Sequence, residues 1–204
     1  MRDLCDTLVV FDWNGTIMND VPRATLAINA VLRTYSGTVL SEDDLRRTFR
    51  LPMTRWMSDL AVPDAHLREA ALQWSAETTT TPAPAKDDAR EVLTGLRRRG
   101  AMIGIASAAE RDSVDADARR ADLVELVDLF AAGVSDKAEY LRSIRHHRRR
   151  AVYIGDCEYD TASARSAEFE AVAVADGYRS ADVLASAGPD VVLPGLAELL
   201  EYLR

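Results

Sequence analysis

Six apolar runs of four or five residues, each ending in a polar turn, set the strongest limit on what this chain can fold into. They are Leu8 to Phe11, Met102 to Ala106, Leu129 to Ala132, Ala151 to Ile154, Ala171 to Ala175 and Asp190 to Leu193. Runs of that length, closed by Gly, Asp, Ser or Pro, read as strands buried on both faces. Helical spacing separates most of them, with Val92, Leu93 and Leu96 ahead of the second run and Leu196, Leu199, Leu200 and Leu203 at the end. Strands alternating with helices predict an α/β fold, a parallel sheet covered by helices on both faces. Ligands of such sheets gather at the carboxyl ends of the strands.

The interval from Thr16 to Ala85 breaks this alternation, showing helical spacing without a convincing strand. Val21, Ala24, Ile28, Val31, Leu32 and Tyr35 mark one amphipathic face. Ser41 with Asp44 has the pattern of a capping box, and Asp64 is placed to cap a third helix carrying Leu67, Ala71 and Trp74. The stretch "TTTTPAPA", Thr78 to Ala85, suits a hinge or an exposed connector. The expected division is a core of residues 1–17 and 86–204 and an inserted small helical domain of residues 18–85.

Composition narrows the function classes. A formal net charge of -8 disfavours non-specific attraction to nucleic acid or anionic lipid. The basic run "RHHRRR", Arg145 to Arg150, could bind phosphate, but it sits between a helix and a strand. It reads better as a solvated helix end whose cations suit the macrodipole. No apolar stretch is long enough to span a bilayer, and no basic-then-apolar leader precedes the first strand. Cys5 and Cys157 lie far apart with no metal-ligand spacing around them, so a reducing compartment is the default. The expectation is a soluble cytoplasmic protein, monomer or homodimer, with no nucleic-acid or membrane partner.

Four polar strand ends then belong together. Asp12 follows the first strand, Ser107 follows "MIGIAS", Lys137 closes "LFAAGVSDK", and Asp156 with Asp160 follows "VYIG" in "VYIGDCEYD". At one edge of a parallel sheet they would supply a carboxylate nucleophile, a hydroxyl and an ammonium for phosphoryl oxygens, and carboxylates for a divalent cation.

In order and behind strands, these residues resemble the haloacid dehalogenase superfamily. Its signatures are "DxxGT", a strand-terminal Ser or Thr, a Lys and "GDxxxD", here Asp12 to Thr16, Ser107, Lys137 and Gly155 to Asp160. The resemblance covers nearly the whole chain, including a helical cap inserted between the first two motifs. "ADGYRSADVL" and "AGPDVVLPGLAELLEYL" also look like the family's last strands and helix. It implies a Rossmann-like α/β core, a small phosphorylated substrate and Mg2+ as cofactor. Asp12 would become a transient aspartyl phosphate. Mg2+ would be held by Asp12, the main-chain carbonyl of Asn14 and Asp156, with Asp160 in an outer, orienting position. Ser107 and Lys137 would hold the transferring group. Gly15 would permit the tight turn beside the substrate, and Thr16 would fix it.

Asn14 is the departure. Phosphatases of this superfamily usually carry a second Asp there, which protonates the leaving oxygen and then activates water; an amide cannot exchange a proton near neutral pH. Four readings follow. The leaving group is a good one, as in an acyl phosphate or phosphoanhydride; or His66, Asp20 or Glu158 replaces the acid. Alternatively, the chain is an attenuated relative that binds phosphorylated ligands; or Asn14, preceding Gly15, deamidates to Asp, which a structured turn disfavours. Two branches of the superfamily also lack the second Asp. Phosphonoacetaldehyde hydrolases use a Schiff-base lysine from the cap, but here only Lys86 and Lys137 exist and Met53 stands near where that lysine would be sought. Haloacid dehalogenases proper usually have Tyr in place of Asn14. For specificity, Arg50 and Arg55, flanking "LPMT", are the candidates to meet an anionic group on the substrate.

Overall fold

The run TLVVF becomes β1 (Thr7–Phe11), buried along its whole length because it has a neighbouring strand on each side. The computed structural model describes residues 3–204. β2 (Met102–Ala106), β3 (Leu129–Ala131), β4 (Arg150–Gly155), β5 (Glu170–Val174) and β6 (Val191–Leu193) complete a six-stranded sheet of order β3-β2-β1-β4-β5-β6. Every pairing is parallel. The predicted runs and the observed strands differ by one residue at most at each end. The outer strands β3 and β6 are three residues long and mostly half-buried, as suits strands with one neighbour.

The chain divides into two compact units, residues 1–19 with 84–204, and residues 20–83. The second holds α1 (Val21–Tyr35), α2 (Glu42–Thr48), α3 (Met53–Asp59) and α4 (Leu67–Thr80). The first holds the sheet with α5 (Ala89–Arg98), α6 (Arg111–Arg120), α7 (Lys137–Ile144), α8 (Glu158–Ser166), α9 (Ala181–Ser186) and α10 (Leu199–Tyr202). The boundaries fall at 20 and 83 rather than 18 and 85 because Met18 bridges to Ala85 and the Asn19 amide donates to the Pro84 carbonyl, at 2.9 Å.

Within the sheet unit, Leu8, Val10, Ala151, Tyr153 and Ala171 point to one face. There they pack with Leu141 and Ile144 of α7 and Ala164 of α8. Val9, Phe11, Val152 and Ile154 alternate to the other face and are also buried. α5 buries Val92, Leu93 and Leu96, and Arg99 just beyond it donates to the Leu200 carbonyl of α10 at 3.0 Å. From β3 the chain returns to β4 on the far side of β1. The sheet therefore reverses its order of growth beside β1, the place where α/β proteins bind ligands.

Several expectations for the helical unit need correction. "TTTTPAPA" is not all connector, because α4 runs to Thr80; the hydroxyls of Thr78, Thr79 and Thr80 donate to carbonyls three or four residues earlier and keep that turn helical. Asp64 does not cap α4; it opens a short 3-10 turn, Asp64–His66, and accepts from Ser58 Oγ at 3.1 Å. α3 was absent from the sequence reading, since seven residues hold too few apolar positions to show a period. Ser41 and Asp44 do form a capping box on α2, with Ser41 Oγ accepting from the Asp44 amide at 3.1 Å and Asp44 accepting from the Ser41 amide at 3.0 Å. The unit's core includes Trp56, edge-on to both Phe49 and Trp74 at ring separations of 5.1 and 6.1 Å. Asn29 pins the following loop by exchanging two 2.8 Å hydrogen bonds with the backbone of Leu40. No helix among the described residues is long and apolar enough to cross a membrane.

Candidate active site

The strand register carries three chemical groups to the reversal point, and a helix brings a fourth. Phe11 pairs with both Ile105 and Ile154, so Asp12 leaves β1 level with the ends of β2 and β4, and its amide donates to the Ile154 carbonyl at 2.8 Å. Ser107 follows β2 and donates its amide to the Ala131 carbonyl at 3.0 Å, while Asp156 follows β4 directly. Lys137 arrives differently: it is the first residue of α7, whose start is capped by Asp136 accepting from the Glu139 amide at 2.9 Å. The helix thus aims a lysine where the sequence suggested only a strand-end loop.

Lys137 is the centre of the cluster. Its Nζ lies 2.9 Å from Asp12 Oδ2 and 2.7 Å from Asp160 Oδ1, with its side chain 1% exposed. The ammonium also sits 5.9 Å from the Tyr153 ring centroid and 5.8 Å from that of Tyr159. Burial opposes its charge, but Asp12 and Asp160 outweigh that and hold it protonated well above the ordinary lysine range. Asp12 Oδ1 accepts from the Trp13 amide at 2.7 Å.

The carboxylates divide by their partners. Asp160 is saturated by protein donors: Oδ1 accepts from Lys137 and from the Tyr153 hydroxyl at 3.2 Å, and Oδ2 accepts from the amides of Asp156 and Cys157 at 3.2 Å and from Cys157 Sγ at 2.9 Å. Asp156 accepts from Thr16 Oγ1 at 3.1 Å and from the Tyr178 amide at 2.6 Å. One carboxylate oxygen from each of Asp12, Asp156 and Asp160 lies within 4.8 Å of the others. Burial pushes Asp12 up to about 7, against the pull of Lys137 and with Asp160 adding to the rise. Burial likewise lifts Asp156 well above the carboxylate range, helped by the charges of Asp160 and Asp12. Burial and the same carboxylates hold the Cys157 thiol protonated, as a donor.

Gly15 has φ of 73°, and a side chain on it would run into the Asp156 carboxylate and the Tyr178 ring, so its position serves the packing of the turn. Thr16 is fully buried and spends its hydroxyl on Asp156. Asn14 is half-buried and bridges to Met18. Arg50 and Arg55 belong to the helical unit, where Arg50 is paired with Asp59 and Arg55 is exposed on α3. Of the proposed substitute acids, Asp20 is buried and paired with Arg23 at 3.5 Å, His66 stacks on Tyr35 with ring centroids 5.4 Å apart, and Glu158 is paired with Arg179 at 2.8 Å. In the basic run, Arg145 donates to the carbonyls of Glu168, Arg148 and Arg149, closing the end of α7, and Arg150 grips Glu170 through two bonds.

Three contributors escaped the sequence reading. Tyr153, a strand residue that reads as core, shares its hydroxyl between Asp160 and the Ala106 carbonyl, 3.2 Å from each. The Gly177–Tyr178 turn after β5 supplies a backbone donor to Asp156. Lys86 pairs with Asp176 in the same turn. A glycine in a polar turn behind a strand, in "ADGYRS", was the one available signal.

Comparison with known proteins places this arrangement among others. Residues 7–168 match the family model described as haloacid dehalogenase-like hydrolase. The phosphoglycolate phosphatase of Synechococcus elongatus is 25% identical, the match covering 95% of this chain and 95% of that protein. A protein of Caldanaerobacter subterraneus named as a candidate pyrophosphatase, PpaX, is 24% identical over 97% of this chain and 94% of its own. The solved structure of a haloacid dehalogenase-like family protein, SP0104 from Streptococcus pneumoniae, superposes with a TM-score of 0.83 at 18% identity. It covers 97% of this chain and 98% of that one, a likeness of fold.

Proposed function

Since the chain belongs to the haloacid dehalogenase-like hydrolases, we propose that it is a Mg2+-dependent phosphatase acting on a small phosphorylated metabolite through Asp12, selective for leaving groups that depart without a proton. The observation that carries this reading is the Lys137 ammonium bound at once to Asp12 and Asp160 beside Asp156. Three buried carboxylates face one buried ammonium, and the proton affinities of Asp12 and Asp156 are raised. Such a site is short of positive charge, and a hard divalent cation with oxygen ligands supplies it. Asp12, Asp156 and the Asn14 carbonyl would hold it; Asp160, its oxygens already committed, orients Lys137 and the turn at Asp156. When bound, Mg2+ would neutralise phosphoryl oxygens and restore Asp12 to its ionised, nucleophilic form.

The protein's own part then follows. A carboxylate oxygen of Asp12 attacks phosphorus, the bond to the leaving oxygen breaks with its electron pair, and an aspartyl phosphate forms. Lys137 and the Ser107 hydroxyl donate to the phosphoryl oxygens as negative charge spreads over them. Water next attacks the aspartyl phosphate, releasing phosphate and freeing Asp12. No proton comes from Asn14 in either half. A general acid contributes about 10²–10⁴ in rate, so alkyl phosphates should be slow without one. Acyl phosphates and phosphoanhydrides need it least, and the relative named as a candidate pyrophosphatase accords with the second of these.

A second reading rests on the same amide: a catalytically attenuated protein that binds phosphorylated ligands or a partner. The two separate in one assay. Sugar, nucleotide, acyl and aryl phosphates and pyrophosphate are offered with Mg2+ to the wild type and to Asp12→Asn. The phosphatase reading expects turnover on acyl, aryl or anhydride substrates and a loss of about 10⁴-fold or more in the variant. Ligand binding with no turnover supports the attenuated protein, and turnover that survives Asp12→Asn removes Asp12 as nucleophile.

A further inference from the structure

The turn between β5 and α9, Asp176 to Arg179, is fastened to three separate parts of the sheet unit. The Tyr178 amide donates to Asp156 Oδ2 at 2.6 Å. Arg179 Nε pairs with Glu158 Oε2 of α8 at 2.8 Å. Asp176 pairs with Lys86, whose own amide donates to the Ile17 carbonyl at 2.9 Å, in the turn that follows Asp12. Lys86 keeps 8% of its side chain exposed, so its ammonium is largely withdrawn from water to meet Asp176. The fit is close: a side chain on Gly177 would run into both the Asp156 carboxylate and the Gly15 carbonyl. The turn therefore lies directly against Asp156.

We propose that Lys86 and Asp176 are a positioning pair, which locks this turn so that the Tyr178 amide fixes the Asp156 carboxylate in the orientation that sets the site's affinity for a divalent cation. The proposal rests on the reading of Asp156 as a cation ligand. A carboxylate swings about its own axis unless both oxygens are held. Thr16 holds Oδ1 and Tyr178 holds Oδ2, but the Tyr178 donor is only as fixed as the turn that presents it.

A simple field effect predicts the opposite sign for one variant, which makes the idea testable. Lys86 is a positive charge near Asp156, so its removal would tighten Mg2+ by electrostatics alone. Positioning predicts that its removal loosens Mg2+. Mg2+ affinity is to be measured by calorimetry without substrate for wild type, Lys86→Met, Asp176→Asn and the reversed pair Lys86→Asp with Asp176→Lys. Turnover of an aryl phosphate is followed alongside. The expected result is weakening of about tenfold in each single variant, the scale typical of lost outer-shell partners, and recovery of most of it in the reversed pair. Asp176 is exposed, so its variant keeps the test open even if Lys86→Met disturbs folding. Unchanged or tighter binding in Lys86→Met, or a reversed pair as weak as the singles, overturns the pair's role while leaving the phosphatase reading intact. A wild type that binds no Mg2+ overturns both.

Discussion

In the sheet unit Lys137, Asp12, Asp156 and Asp160 are buried and depend on one another, whereas in the helical unit Arg46, Arg47 and Arg50 meet their carboxylates on the surface. The first arrangement is costly: each buried charge is tolerable only while its partners stay in place. The second contributes little, since exposed pairs are worth about 0–1 kcal/mol each. The helical unit stands instead on apolar contact around Trp56 and on the Asn29 bonds to Leu40. The helical unit also buries a pair, Asp20 with Arg23 at 3.5 Å; what sets the strand tips apart is that two buried carboxylates share one buried ammonium, with a third beside them.

The comparison can be broken at Asn14. If the missing proton donor is what restrains the strand-tip site, Asn14→Asp should raise turnover of alkyl phosphates by about 10²–10⁴, read as kcat/KM over a series of leaving groups. A flat result would move the restraint away from the strand tips. Next in size is stability: Lys137→Met strips the partner from Asp12 and Asp160 and should cost about 3–5 kcal/mol in urea unfolding of the metal-free protein. Asn29→Ala, which leaves the Leu40 amide and carbonyl unmatched, should cost about 1–3 kcal/mol, and Arg50→Ala no more than about 1 kcal/mol. Equal losses for Lys137 and Arg50 would erase the distinction between the two regions.

The two regions also differ in pH response. Asp12 is lifted by burial to about 7, from an unfolded value of about 3.9. A raised carboxylate binds its proton more tightly in the folded chain, so its contribution to stability is full below the unfolded value. That contribution falls as pH climbs and is gone once the folded value is passed. Asp156 is shifted the same way. Because Mg2+ must displace those protons, the rise in Tm that it produces should grow from about pH 5 to about pH 8. A pH-independent rise would mean that the cation binds elsewhere.

The sheet was legible because parallel strands buried on both faces read as unbroken apolar runs, and the polar residues after several of them point to the candidate site. Asp12, Lys137 and Asp160 were named from that pattern, and the structure sets them in one hydrogen-bonded group. What escaped depends on contacts between distant segments. Tyr153 carries a polar tip on a core ring, the Tyr178 donor is a backbone amide with no residue type to betray it, and Lys86 meets Asp176 across ninety positions. In the helical unit, boundaries slipped where short helices hold too few apolar residues to show a period, as with α3, or where threonine hydroxyls satisfy carbonyls inside a turn that resembles a linker, as at Thr78 to Thr80.

Acid quenching of the enzyme during turnover of an aryl or acyl phosphate, followed by peptide mass spectrometry, asks most directly whether the strand tips act on a single phosphorus atom. The expected result is a phosphoryl group on Asp12, present only with Mg2+ and absent from Asp12→Asn. A phosphoryl group on any other residue, or turnover in which Asp12→Asn behaves as the wild type, would contradict it.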